Sequence, residues 1–436
     1  MTSRLALRGD LLDFTADPGF AATAEASGLR WRPDHWLLIE DGHIINAQPA
    51  GSVDSEPDAS WQRIDHRGRL ILPGFIDTHV HSPQLDVIAS HGGALLDWLE
   101  RYTFPAEQKY ADPALAEAGA ARFVEALFAH GTTAAVVFPT VHKVSAEALF
   151  AAAQQRGMRL IAGKVLMDCN APDGLRDDVD GAERDCTDLI QRWHGRDRLA
   201  YAVTVRFAGT STREQLAMAG RLCAAHDGVF MQTHVAENTD EVRWIAGLFP
   251  EARSYLDVYE RHGLLHPRAV LAHGIWIDDR DRALLHERGA QIAFCPSSNL
   301  FLGSGLFDWQ AAADAGVTVS IASDVGGGTS LSMLRTLADG YKVQSLRGLR
   351  LTAWKLLHAA TRGAAQSLGL AGEIGSLDAG CVADLAVWDW AVGAVAMHRD
   401  GLAQDSRDLH ERVFAWMTLG DERNLAATYV AGERVY

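Results

Sequence analysis

Between about residues 72 and 324, eight short runs rich in β-branched residues alternate with longer amphipathic stretches, which is the order of βα units around a parallel sheet. The runs end at Val80, Phe138, Met167, Arg206, Val235, His273, Cys295 and Ser323. Helical patterns lie between them, among them residues 113–129 and 279–288, each followed closely by a glycine (Gly131, Gly289) where a left-handed helix stop is needed. An open doubly wound sheet is the alternative, but it uses about five to seven strands, whereas eight units close on themselves. The fold class expected is therefore α/β, a (β/α)8 TIM-like barrel.

The chain, at 436 residues, exceeds one ordinary core, so a smaller companion domain is expected. Residues 36–45 and 427–436 both read as strand, two-residue turn, strand, and residues 382–389 form a third strand pattern. These flanks predict a small composite β-sandwich made of residues 1–71 and 375–436, with the barrel spanning 72–374. The formal net charge of −16 would repel a phosphate backbone, which argues against a nucleic-acid partner and for a small substrate that is not strongly anionic. No uninterrupted apolar run reaches membrane-spanning length, and Asp10 and Asp13 interrupt any secretory pattern near the start, so no membrane association and a cytoplasmic setting are expected. Five dispersed cysteines without a CxxC pair fit neither a disulfide framework nor a thiolate zinc site.

His79 and His81 stand two apart at the end of the first barrel strand, so both imidazoles leave one face. Chance alone supplies on the order of 0.7 His-x-His pairs at this histidine content, so the position of the pair carries the argument. Polar residues recur where later strands end: Arg206 at the fourth, His234 at the fifth, His273 at the sixth and Asp324 after the eighth. Side chains at those ends converge on the mouth of a barrel, where its chemistry sits. Three histidines and one carboxylate suit zinc or iron(II), and such an ion lowers the pKa of a water to about 7. Glu237, three residues beyond His234, could shuttle protons there; an acid at a helix amino terminus explains it equally well. The Gly326-Gly327-Gly328 run lacks the lysine and spacing of a phosphate loop and reads as a close backbone approach or a hinge.

The string PGFIDTHVH at residues 73–81, together with His234, His273 and Asp324, resembles the amidohydrolase superfamily, and its mononuclear aminohydrolase branch in particular. Longer strings at residues 81–84, 96–107, 163–168, 204–207, 233–238, 295–300 and 324–334 resemble the members of that branch that act on guanine. The resemblance spans nearly the whole chain. It implies one Zn2+ (Fe2+ as the alternative) held by His79, His81, His234 and Asp324, with His273 orienting the water and Asp324 accepting its proton. It also implies that Gln84, Arg206 and Phe207 hold the base, with Arg206 on the carbonyl oxygen that distinguishes guanine from adenine. Hydrolytic removal of the guanine amino group and a homodimeric assembly follow from the same likeness. Segment 95–110 carries Trp98, Tyr102 and Phe104 and is a candidate roof for the pocket. Two rival readings differ in consequence: a sister hydrolase acting on 8-oxoguanine, another aminoheterocycle or a chlorotriazine, and a scaffold of this fold that has lost its catalysis.

Overall fold

The computed structural model describes residues 3–20, 27–51, 56–91, 93, 95–406 and 408–436. Four strands open the chain: β1 (Arg4–Phe14), β2 (Leu29–Glu40), β3 (His43–Pro49) and β4 (Gln62–Pro73). Nine follow in the barrel region: β5 (Phe75–His81), β6 (Thr132–Phe138), β7 (Arg159–Ala162), β8 (Val165–Leu166), β9 (Leu199–Val205), β10 (Phe230–Val235), β11 (Ala269–His273), β12 (Gln291–Phe294) and β13 (Thr318–Ile321). The last three are β14 (Leu385–Trp388), β15 (Leu425–Val430) and β16 (Glu433–Arg434).

The barrel strands pair in the order β13-β12-β11-β10-β9-β7-β6-β5, with β8 beside β9. Every residue of β5, β6 and β9 is buried, as parallel strands covered on both faces must be, which explains why these segments read as continuous runs of apolar and small residues. The first and last strands meet: Thr78 Oγ1 lies 2.8 Å from Ser320 Oγ, and the Asp324 N–H donates to the His79 carbonyl at 2.9 Å. The third expected run differs from its pattern, because residues 163–164 divide it into β7 and β8. A Cβ on Gly163 would lie 1.8 Å from the Ala202 carbonyl oxygen, so only glycine permits that approach of the neighbouring strand.

The terminal segments combine as expected in one small β-body. Its seven strands form a continuous sheet ordered β16-β15-β14-β4-β1-β2-β3, in which β14 joins antiparallel to β4 and so ties the end of the chain to its beginning. Both anticipated hairpins are present. Asp41 and Gly42 turn β2 into β3 and Ala431 and Gly432 turn β15 into β16, all four with positive φ, the backbone that matches the twist of the flanking strands. Leu7, Leu37, Ile71, Leu385, Val387 and Tyr429 pack into its core.

By contacts the chain divides into two compact units, Met1–Asp77 with Ala126–Ala134 and Ser332–Tyr436, and Thr78–Glu125 with Ala135–Leu331. The first unit thus takes in the helices Met333–Leu346, Ala353–Ala359 and Arg362–Ser367, which the sequence pattern assigns to the barrel segment. Among the described residues, no helix is long and apolar enough to cross a membrane, and all five cysteines are free.

Candidate functional site

Four side chains from three strand ends of the second unit converge within it. His79 and His81 leave the end of β5, His234 stands near the end of β10, and Asp324 follows β13. Their ligand atoms all lie within 4.8 Å of one another. The His81 Nε2 atom is 3.2 Å from Nε2 of both His79 and His234, and Asp324 Oδ1 is 3.3 Å from Nε2 of His79 and of His81. Atoms about 2.0–2.2 Å from a shared ion stand roughly 3–3.5 Å from each other at ordinary coordination angles, so this spacing is that of a coordination shell.

The electrostatics agree with that reading. Burial holds His81 down at about 3, and burial with the neighbouring imidazoles holds His234 well below its ordinary value, so both rings are neutral and keep a lone pair. The His234 Nδ1–H donates to the Arg206 carbonyl at 2.5 Å, which leaves Nε2 facing the cluster. Burial works to raise the Asp324 carboxyl, but His79 and His81 outweigh it and hold the group well below the usual range, as the carboxylate. The Phe138 ring, fully buried at the end of β6, lies within 5.0 Å of the rings of His79, His81 and His234 and closes the floor. A second group shares Asp324: His273, Cys295 and Asp324 also present atoms within 4.8 Å of one another.

Backbone shape marks the same place. His273, Asp324 and Ala236 all have positive φ, a conformation that costs a non-glycine residue about 1 kcal/mol or more and persists where surrounding structure over-determines it. The glycine run at 326–328 is a close approach, as its sequence suggests. A Cβ at Gly328 would sit 1.8 Å from the Ser323 carbonyl oxygen and one at Gly326 would sit 2.7 Å from that of Gln84, while the Gly326 N–H donates to Gln84 Oε1 at 3.2 Å.

Beside the cluster lies a cavity. Gln84, Arg206, Phe207, Glu237, His273 and Asp324 all line it, so the structure brings every sequence-derived site residue except His79 to its wall, and His79 stands behind, in the cluster. Gln84 sits in the short 3-10 helix Ser82–Val87, with Pro83 in its first turn, directly after β5. Leu95, Trp98 and Leu99 line the cavity too, which places segment 95–110 against it. That segment has a π turn, Leu99–Thr103, where the Phe104 N–H reaches back to the Leu99 carbonyl. Pro105 accounts for it, since its ring would collide with the carbonyl four residues earlier in an α-helix and it has no N–H to offer.

Glu237 and His273 stand side by side in the cavity wall. Burial, helped by the Asp324 charge and opposed by the Ser304 hydroxyl, pushes Glu237 up to about 8, so it holds a proton at neutral pH. Ser304 donates to Glu237 Oε1 at 2.8 Å, and Glu237 Oε2 lies 3.4 Å from His273 Nε2. His273 Nδ1 donates to Asn299 Oδ1 at 2.9 Å, which turns its other nitrogen toward Glu237 and Asp324. Glu241, pushed up to about 7 by burial and Glu237, caps the helix Thr239–Leu248 by accepting the N–H groups of Glu237 and Asn238. Asn238 and Glu241 share the capping of this helix, Glu237 takes no part in it, and both glutamates line the cavity.

Sequence reasoning missed Glu107, Asn299 and Ser304. Glu107 is fully buried, and its two oxygens meet Gln84 Nε2 at 3.1 Å and Arg206 Nη1 at 2.6 Å. Asn299 and Glu107 both lie inside strings that carry the family resemblance; the available signal for Glu107 was an acid set among Trp98, Phe104 and Ala106.

Residues 70–435 match the model of the amidohydrolase family. The chain is 42% identical over 432 residues to guanine deaminase of Escherichia coli strain K12, covering 99% of this chain and 97% of that one. The solved E. coli guanine deaminase superposes with a TM-score of 0.93 at 41% identity, over 99% of each chain. The guanine deaminase of C. acetobutylicum, solved with guanine bound in its active site, superposes with a TM-score of 0.88 at 26% identity over the full length of both.

Proposed function

The chain belongs to the amidohydrolase family, and from that premise we infer that it hydrolyses guanine to xanthine and ammonia. The observation that carries this reading is one cavity lined at once by His81, His234 and Asp324 of the candidate metal-ligating set, by Glu237 and by Gln84, Arg206 and Phe207. Relatives that cover the whole chain and act on guanine support the substrate.

His79, His81, His234 and Asp324 would hold one divalent ion, and three imidazole nitrogens with one carboxylate favour zinc over iron(II). When bound, such an ion makes a nucleophilic water available near pH 7. The chain's own groups do the rest. Arg206 donates to the carbonyl oxygen of guanine; adenine would set an amine donor against the guanidinium donors and leave them without an acceptor. Phe207, almost fully buried, walls the ring. The water oxygen adds to C2 as its proton passes to Asp324, and the Glu237 carboxyl gives its proton to N3 of the base. His273, fixed by Asn299, orients the water. The C2–N bond then breaks as the proton held by Asp324 passes to the amine, which leaves as ammonia, and the remaining hydroxyl proton returns to Glu237 as the C2 carbonyl forms.

The same reading carries a homodimer and a cytoplasmic setting with it, tested by sedimentation velocity and by cell fractionation. For the reaction itself, purified chain of verified metal content is mixed with guanine while xanthine absorbance and free ammonia are followed. Stoichiometric release of both, abolished by a chelator and restored by zinc, is expected; a zinc-loaded chain that leaves guanine intact removes the proposal.

A further inference from the structure

Behind the cavity wall, one carboxylate touches two residues of the base-binding set without reaching the cavity itself. Glu107 comes from the short helix Phe104–Gln108, has no exposed surface and is absent from the cavity lining. Its Oε1 accepts the Gln84 amide N–H at 3.1 Å and its Oε2 accepts the Arg206 guanidinium at 2.6 Å. The Arg206 guanidinium also lies over the Phe104 ring, 5.4 Å from its centroid, so one short helix holds it from two sides.

The polarity of this arrangement is forced. The carboxylate only accepts and the Gly326 N–H only donates, so the Gln84 amide has one orientation, nitrogen toward Glu107 and oxygen toward Gly326. A flipped amide would set oxygen against carboxylate and N–H against N–H. Arg206 likewise spends Nη1 on Glu107, and its remaining donors are the ones available to the cavity it lines. The charge of Arg206 is compensated from behind, which suits a neutral ligand with acceptor atoms better than an anion.

We propose that Glu107 is the positioning residue of the base-binding wall: its carboxylate locks Gln84 and Arg206 into a single donor pattern and thereby sets the affinity and selectivity of the site for a neutral, carbonyl-bearing base. This inference rests on the reading of the cavity as a guanine site.

The test compares Glu107→Gln, Arg206→Gln and the double variant as zinc-loaded holoenzymes. Glu107→Gln is expected to raise KM for guanine about tenfold or more with a smaller change in kcat and wild-type metal content. If Glu107 acts through Arg206, its effect shrinks in the Arg206→Gln background, so the double variant is less impaired than the product of the two single effects. A wild-type KM in Glu107→Gln, or single effects that multiply, overturns the proposal. Should Glu107→Gln not fold because it strands the Arg206 cation, Glu107→Asp, which keeps the charge one methylene short, carries the test: a KM raised several-fold supports the role and an unchanged KM overturns it. Failure of the wild-type enzyme to turn over guanine instead sinks the underlying function, so the two failures are distinguishable.

Discussion

Two regions of this molecule bury carboxylates, and they do it in opposite ways. In the first unit, Asp13 on β1 is 1% exposed; Arg30 of β2 binds both its oxygens, Arg32 Nη2 lies 3.5 Å away, and the Leu377 N–H donates at 2.7 Å. Arg30 also pairs with Asp378, which is held in turn by Arg362 at 2.7 Å. Each buried charge there has its complement within the protein. At the barrel mouth, apart from the Glu107–Arg206 pair behind the wall, like groups are pressed together instead: imidazole against imidazole at 3.2 Å, and Glu237 beside the Asp324 charge. A buried network complete in itself holds a fold together, whereas one whose lone pairs face each other is completed by something from outside.

That contrast is sharpened or broken by experiment. The largest effect is expected at the mouth. His79→Ala should abolish stoichiometric metal and lower kcat/KM by at least about 10³ while barely moving the denaturation midpoint relative to chelator-treated wild type; near-normal turnover would break the comparison at its functional end. Next comes Asp13→Ala, which removes the buried partner of Arg30 and leaves it Asp378 alone, and should cost roughly 3 kcal/mol in urea unfolding, the low end for a broken buried pair. The variant that remains folded should keep wild-type kinetics, and a catalytic defect in it would mean that the two networks are not separate in role. Third, Glu237→Gln should keep its metal and stability and lose about 10² in kcat; full activity would strip Glu237 of its proton-transfer role.

The smallest effect is a difference in sign with pH. Burial raises Asp378, but Arg362 and Arg30 outweigh it and hold the group at about 2, below its ordinary 3.8. Its contribution is present above about pH 4 and is lost as the pH falls toward 2. Glu237 is raised from 4.5 to about 8, so the folded chain binds a proton that the unfolded chain has released. Stability therefore declines as the pH climbs from 4.5 to 8. Urea midpoints of chelator-treated protein across pH 2–9 should show both slopes, the acidic one reduced by Asp378→Asn and the neutral one, to which Glu241 also contributes, reduced by Glu237→Gln; a slope that its substitution leaves unchanged assigns the titration elsewhere.

Much of this architecture was legible beforehand for identifiable reasons. Strands β5, β6 and β9 are buried on both faces, so their apolar runs stand out against the amphipathic helices between them. The Asp41-Gly42 hairpin was legible because its turn demands positive φ twice. The break at Gly163 was not, because it depends on how near the Ala202 carbonyl of the neighbouring strand comes, a distance that no local pattern encodes. Nor was the capping duty of Glu241, since Glu237 and Glu241 are the same residue type one helical turn apart and only the direction of each side chain separates them.

The sequence by itself determined the chemistry on offer: which strand ends carry imidazole, carboxylate or guanidinium. Side chains two apart on a strand share a face, and parallel strands with their crossovers bring all their carboxyl ends to one rim. Tertiary structure alone decided what stands behind that rim. Glu107 is 99 residues from Arg206 and 23 from Gln84, Ser304 is 67 from Glu237 and Asn299 is 26 from His273. Such pairings arise from how the loops pack once the barrel has closed, and a carboxylate is identical in the sequence whether packing leaves it in water or buries it against a cation.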